Sequence, residues 1–119
     1  ADRFVNPYLN DNEARANNNG AYPPDLSVIT KARRYGEDYI YNLLMGYEEA
    51  PKGVEVGNGM YYNKWMDGNQ IAMPAPILDG SVDYDDGTDN NAAQLSEDVV
   101  TFLKWYSERV YLHLALLWL

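Results

Sequence analysis

Asn91-Ala92-Ala93-Gln94-Leu95-Ser96-Glu97-Asp98-Val99-Val100-Thr101-Phe102-Leu103-Lys104-Trp105-Tyr106 is the stretch from which the architecture can be read. Asn91 is a residue type that caps a helix N-terminus, and Gln94 stands three positions on, as a capping box prefers. Leu95, Val99, Phe102, Leu103 and Tyr106 then recur at helical spacing, and Trp105 broadens their face. The pattern predicts an amphipathic helix packed through that face. Ser107-Glu108-Arg109 passes into residues 110–119, an almost continuous apolar run of ten. A bilayer crossing takes about 20 residues, so this tail reads either as the start of a C-terminal membrane anchor or as a buried helix end.

Two further helices are expected upstream. Pro23-Pro24-Asp25 suits a helix start, because proline fits the first turn and an acid there favours the dipole. In a helix over 25–34, Leu26, Ile29 and Arg33 share one face. An arginine on an apolar face needs an anionic partner. Gly36 separates a second helix over 37–47, with Ile40, Leu43, Leu44 and Tyr47 as its stripe and Tyr39 beside Leu43. Residues 1–24 carry little periodicity, with one short helical turn expected over 12–17. The class is therefore mostly α, with long irregular loops.

Residues 48–90 are punctuated by glycine and proline throughout. Ile77-Leu78 and Val82-Asp83-Tyr84 are expected to pair as a small hairpin, with turn signals at Asp79-Gly80 and Asp86-Gly87. A loop region of this length is either disordered or held by something other than secondary structure. Its aromatics and methionines argue against disorder. A cofactor packed against it resolves the tension.

Composition removes several classes of function. The chain has 119 residues, which suits one domain, and a formal charge of −9. Nucleic acid is excluded as a partner, since phosphate contacts need a basic surface. A basic protein partner fits better, although ordinary solubility also accounts for acidity. No cysteine is present, which rules out disulfides and thiolate metal sites within these residues, and the single histidine, His113, rules out a multi-histidine cluster. No signal-peptide pattern is visible at the start, where Ala1-Asp2-Arg3 opens into a turn-rich segment, and this opening reads as a fragment or a processed piece. Glu48-Glu49 and Asp83, Asp85 and Asp86 lack the offsets of a calcium-binding loop. No P-loop or Gly-x-Gly-x-x-Gly element occurs.

Met73 differs from Met45, Met60 and Met66 in its surroundings. It lies in Gln70-Ile71-Ala72-Met73-Pro74-Ala75-Pro76, where prolines fix the backbone and small residues leave room around the sulfur. A thioether is a soft ligand suited to haem iron. On spacing alone, a methionine that fills an irregular gap is the better reading.

Four blocks, in order, resemble the cytochrome c1 family. The first is Asn6-Pro7-Tyr8, Glu13-Ala14-Arg15 and Asn18-Asn19-Gly20-Ala21-Tyr22-Pro23-Pro24-Asp25-Leu26-Ser27. The second is Lys31-Ala32-Arg33, Gly36-Glu37-Asp38-Tyr39-Ile40 and Gly46-Tyr47. The third is Tyr61-Tyr62-Asn63 with Ile71-Ala72-Met73-Pro74. The fourth is Tyr84-Asp85-Asp86-Gly87-Thr88, Asp98-Val99-Val100 and Phe102-Leu103-Lys104-Trp105.

The resemblance implies part of a cytochrome c-type haem domain over 1–109, followed by the apolar tail 110–119. It implies that Met73 is the axial haem ligand and that Pro24, Arg33, Tyr39 and Leu43 line the pocket, with Arg33 near a propionate. Arg33 could equally be a snorkelling surface residue, and plain core packing accounts for Tyr39 and Leu43 as well. The family attaches haem c through Cys-x-x-Cys-His, which must lie outside this chain. The implied work is electron transfer from the Rieske iron–sulfur protein to soluble cytochrome c, within the bc1 complex (respiratory complex III) beside cytochrome b. That makes the chain an electron-transport subunit of ubiquinol–cytochrome c reductase rather than an enzyme by itself. The implied place is the mitochondrial inner membrane, on the intermembrane-space side, or the periplasmic side of a bacterial plasma membrane. The acids would face basic cytochrome c. The alternatives are a structural subunit without haem and an acidic interaction domain of a membrane complex.

Overall fold

The computed structural model describes the backbone of residues 5–117 and the side chains of residues 5–112. Regular structure there comprises four α-helices, one 3-10 turn and a two-stranded sheet, a helix-rich fold with little strand. Helix α1, Asp11–Asn17, begins where Asn10 Oδ1 accepts from Glu13 N–H at 2.8 Å. It ends where Asn18 Nδ2 donates to the Ala14 carbonyl at 2.7 Å.

Helix α2, Ile29–Ala32, is much shorter than the expected 25–34. At its front Asp25 Oδ1 accepts from both Ser27 N–H (2.9 Å) and Ser27 Oγ (2.6 Å). This local turn replaces a first helical turn, the competition that makes Asp and Ser poor helix interiors. At its back Arg33 is already extended, with φ −122° and ψ 141°. Losing both ends breaks the shared face: Ile29 is buried, Leu26 is 41% exposed and Arg33 points to solvent. The inward arginine expected from spacing is therefore corrected.

Helix α3, Gly36–Met45, starts against α2. A Cβ on Gly36 would lie 2.9 Å from the Thr30 carbonyl oxygen, and its φ is +45°, so glycine is required on both counts. Ile29, Ile40, Val100 and Leu103 form the core, with Tyr39, Tyr41 and Leu44 packed against it.

Helix α4, Ala92–Leu117, runs unbroken for 26 residues, about 39 Å at 1.5 Å per residue, straight across position 110. Asn91 Oδ1 accepts from Gln94 N–H at 2.8 Å, as expected of a cap. Gln94 does not reach back, however, and its amide donates to Asp98 Oδ1 at 3.1 Å. The second N-terminal group is met from outside the helix, where Asp79 Oδ1 accepts from Ala92 N–H at 2.6 Å.

The packed face of α4 is Leu95, Ser96, Val100, Leu103, Ser107 and Val110. Leu95 and Leu103 fall where the periodicity puts them, but Val99, Phe102 and Trp105 are exposed. Ser96 and Ser107 are fully buried, and such small side chains let α2 and α3 approach closely. The rings instead gather on the outer side, with Phe102 centroids 6.1 Å from both Trp105 and Tyr106 and Arg109 lying 5.1 Å over Trp105. No helix among the described residues is long and apolar enough to cross a membrane. The anchor reading falls on 110–119; the side chains of 113–119, His113 included, lie outside the described residues.

The sheet also differs from expectation. Strands β1 (Tyr61–Tyr62) and β2 (Gln70–Ile71) pair antiparallel, Tyr61 with Ile71 and Tyr62 with Gln70. No strand forms at 77–84 among the described residues. There Asn90 Nδ2 donates to the Val82 carbonyl at 2.7 Å, and the Tyr84 hydroxyl donates to the Asp98 carboxylate of α4.

Candidate functional site

The end of α3 and the β1–β2 hairpin are tied together through Asn63. This side chain is fully buried. Its Nδ2 donates to the Leu43 carbonyl at 2.8 Å, and its Oδ1 accepts from Trp65 N–H at 3.0 Å. Its own N–H donates to the Asn69 carbonyl at 3.0 Å, and its backbone bridges that of Tyr47. Gly46 makes room for the knot, since a Cβ there would lie 2.6 Å from Asn63 Oδ1 and 2.8 Å from Trp65 Cδ1.

Strand β2 leaves this knot and leads within two residues to Met73. There the Tyr47 hydroxyl donates to the Met73 carbonyl at 2.8 Å. Burial pushes the Tyr47 phenol up to about 12, so the donor proton stays in place at any neutral pH. The Met73 side chain is 39% exposed. Other methionine sulfurs are engaged: Met45 Sδ accepts from Ser96 Oγ at 3.5 Å and Met66 Sδ from the Tyr39 hydroxyl at 3.8 Å. No hydrogen bond reaches the Met73 sulfur among the described residues, which leaves its lone pairs available as the soft donor that haem iron takes.

The other four predicted residues fall into two groups. Tyr39 and Leu43, four positions apart on α3, are half-buried on one stripe; the helix ends at Met45 rather than at the expected 47, so Tyr47 lies beyond it. Tyr39 packs on the core and so has a structural role of its own. Pro24 and Arg33 are exposed. The Arg33 guanidinium donates to the Ala32 carbonyl at 3.3 Å and forms no ion pair among the described residues. It therefore retains the donors that a propionate would accept from. A shallow open groove of about 540 Å³ runs beside the Met73 loop, between Tyr47, Met60, Tyr62 and Ala75, with Glu48 and Glu49 on its rim. None of the five predicted residues lines it.

Comparison with known proteins decides what this loop belongs to. The Cytochrome C1 family matches residues 1–113. The chain belongs to the cytochrome c1 family. It is similar to cytochrome c1, heme protein, mitochondrial, from Schizosaccharomyces pombe, with 54% identity over 102 residues, 86% of this chain and 33% of that protein. It is 49% identical over 108 residues to cytochrome c1-1, heme protein, mitochondrial, from Solanum tuberosum, covering 91% of this chain and 34% of the relative. A bacterial relative, cytochrome b/c1 from Bradyrhizobium diazoefficiens, is 46% identical over 127 residues, 91% of this chain and 18% of its own length. The chain thus spans about a third of the length of the mitochondrial cytochromes c1 that it matches.

Tyr47 and Asn63 are the residues of the site that sequence reasoning does not reach. By periodicity Tyr47 belongs to the apolar stripe of the expected helix 37–47, and Asn63 is only part of a block of resemblance. Gly46-Tyr47 at the helix end was the available signal, because a glycine beside a tyrosine marks a close approach with a hydroxyl to place.

Proposed function

We propose that this chain forms the distal part of a c-type haem domain and that Met73 is the axial ligand. Haem c, when bound, supplies reversible one-electron chemistry, and pairing methionine with histidine raises its potential. The chain's own residues supply the rest. Met73 presents a sulfur, Tyr39 and Leu43 offer apolar wall, Pro24 stiffens the chain at the rim, and Arg33 offers a guanidinium to a propionate. The covalent attachment and the opposite ligand come from a Cys-x-x-Cys-His segment outside these residues. No side chain here is expected to make or break a bond of a substrate.

In this reading the domain passes electrons from the Rieske iron–sulfur protein to soluble cytochrome c, alongside cytochrome b in the bc1 complex. It works on the intermembrane-space side of the mitochondrial inner membrane, with the periplasmic side of a bacterial plasma membrane as the alternative. Family membership supports this, and the net charge of −9 suits encounter with a basic partner. The single observation that carries the reading is the Met73 sulfur, partly exposed and free of hydrogen bonds in a loop whose backbone is held. Met73→Leu in the haem-loaded assembly tests it. The expected result is loss of the sulfur-to-iron charge-transfer band and a lower midpoint potential. An unchanged spectrum and potential would sink the assignment.

A further inference from the structure

Residues 73–76 lie beyond the paired part of β2, and Pro74 and Pro76 have no N–H to donate. Among the described residues, the bond from the Tyr47 hydroxyl to the Met73 carbonyl is the hydrogen bond that holds this stretch of backbone. Tyr47 is itself fixed. It follows Gly46 at the end of α3, and its backbone bridges Asn63, whose amide grips Leu43 in the last turn of the same helix. A continuous path therefore runs from the packed helix, through a fully buried asparagine and a tyrosine, to the residue that carries the sulfur.

We propose that Tyr47 is the positioning residue for Met73, its hydroxyl clamping the loop so that the thioether stays on the iron. This rests on the reading of Met73 as axial ligand. A thioether that held a haem iron would be able to leave and return. How often the site is found open depends on how far the loop relaxes when the sulfur leaves, because a loop ordered in the closed form lowers the open population. The Tyr47 bond acts on the backbone of the ligand residue itself. It orders the closed form without touching the sulfur.

The test compares Tyr47→Phe, Met73→Leu and the double variant in the haem-loaded assembly. Three readouts are followed: the sulfur-to-iron band of the ferric form, carbon monoxide binding by the ferrous form, and thermal melting as a check of folding. Phenylalanine keeps the ring and its packing, so Y47F folds and retains the band at neutral pH. Its carbon monoxide-accessible fraction rises by about two- to tenfold, the range that one hydrogen bond supports. Installing 4-aminophenylalanine at position 47, which returns a donor to the same place, restores the original level. M73L abolishes the band, and adding Y47F to it changes nothing further. Unchanged carbon monoxide access in Y47F, with the band lost in M73L, overturns the positioning role alone. A band that survives in M73L overturns the ligand reading, and the positioning role with it.

Discussion

Asn63→Ala is the most informative perturbation of the fold. The amide is fully buried and uses both ends, as donor to the Leu43 carbonyl at 2.8 Å and as acceptor from Trp65 N–H at 3.0 Å. Alanine removes both bonds and leaves their partners in place. Trp65 is 49% exposed, so its N–H can turn to water and the loss there is about 1 kcal/mol. The Leu43 carbonyl still accepts from Gly46 N–H at 3.2 Å, so it is not left bare and the loss there is also about 1 kcal/mol. The total of about 2 kcal/mol corresponds to a melting temperature lower by roughly 8 °C for a domain of this size. Urea unfolding followed by tryptophan fluorescence should show the midpoint fall with the slope unchanged. Asn63→Asp serves as a control. It keeps an acceptor for Trp65 but turns an oxygen towards the Leu43 carbonyl oxygen, so it must destabilise at least as much as alanine. A loss below about 0.5 kcal/mol in N63A, or an aspartate milder than alanine, would refute the keystone role.

Three further outcomes are expected. Gly46→Ala forces a Cβ to within 2.6 Å of Asn63 Oδ1 and 2.9 Å of the Asn42 carbonyl oxygen, so it should lower stability by about 2 kcal/mol in the same urea assay. Ser107→Ala should leave stability unchanged or raise it by about 1 kcal/mol, because the Ser107 hydroxyl is buried without a hydrogen-bond partner among the described residues; a clear fall in the melting midpoint counts against that. Alkali should lower the stability of the domain in a defined window. Burial holds the Tyr47 phenol at about 12, and the hydrogen bond to Asp98 holds Tyr84 at about 12, against 10.0 for a free phenol. The folded state therefore keeps protons that the unfolded chain releases. This stabilisation is complete below pH of about 10 and lost as pH rises towards about 12. Urea midpoints measured across that range, with phenolate absorbance followed alongside, check it, and Y47F and Tyr84→Phe should each flatten the decline.

Much of the helical plan was legible because it rests on local chemistry. Asn91 caps α4 as its residue type requires, and Ile40 and Leu103 sit in the core where their periodicity puts them. The short turn expected over 12–17 appears as α1. Other features were misread where a side chain competed with the backbone at a distance. Asp25 held Ser27 in a turn and shortened α2, which sent Arg33 outward. Asp79 gave its carboxylate to the start of α4, and Asn90 took the carbonyl of Val82, so the expected hairpin did not form.

The family was legible in the linear order of residues alone, and the same order singles out Met73 as the residue proposed as ligand. Pro-Pro-Asp-Leu-Ser and Ile-Ala-Met-Pro are short strings, and the proline-framed methionine can be picked out wherever the chain places it. Which side of α4 is buried was not fixed in this way. Periodicity locates an apolar arc but cannot tell aromatic from small residues as packing partners, and the serines at 96 and 107 decided that arc through the close approach they permit. The support of Met73 was equally invisible, because Tyr47 and the loop it clamps are 26 residues apart. Only the Asn63 knot, closed by pairing across the end of a helix and a hairpin, brings that hydroxyl to that carbonyl.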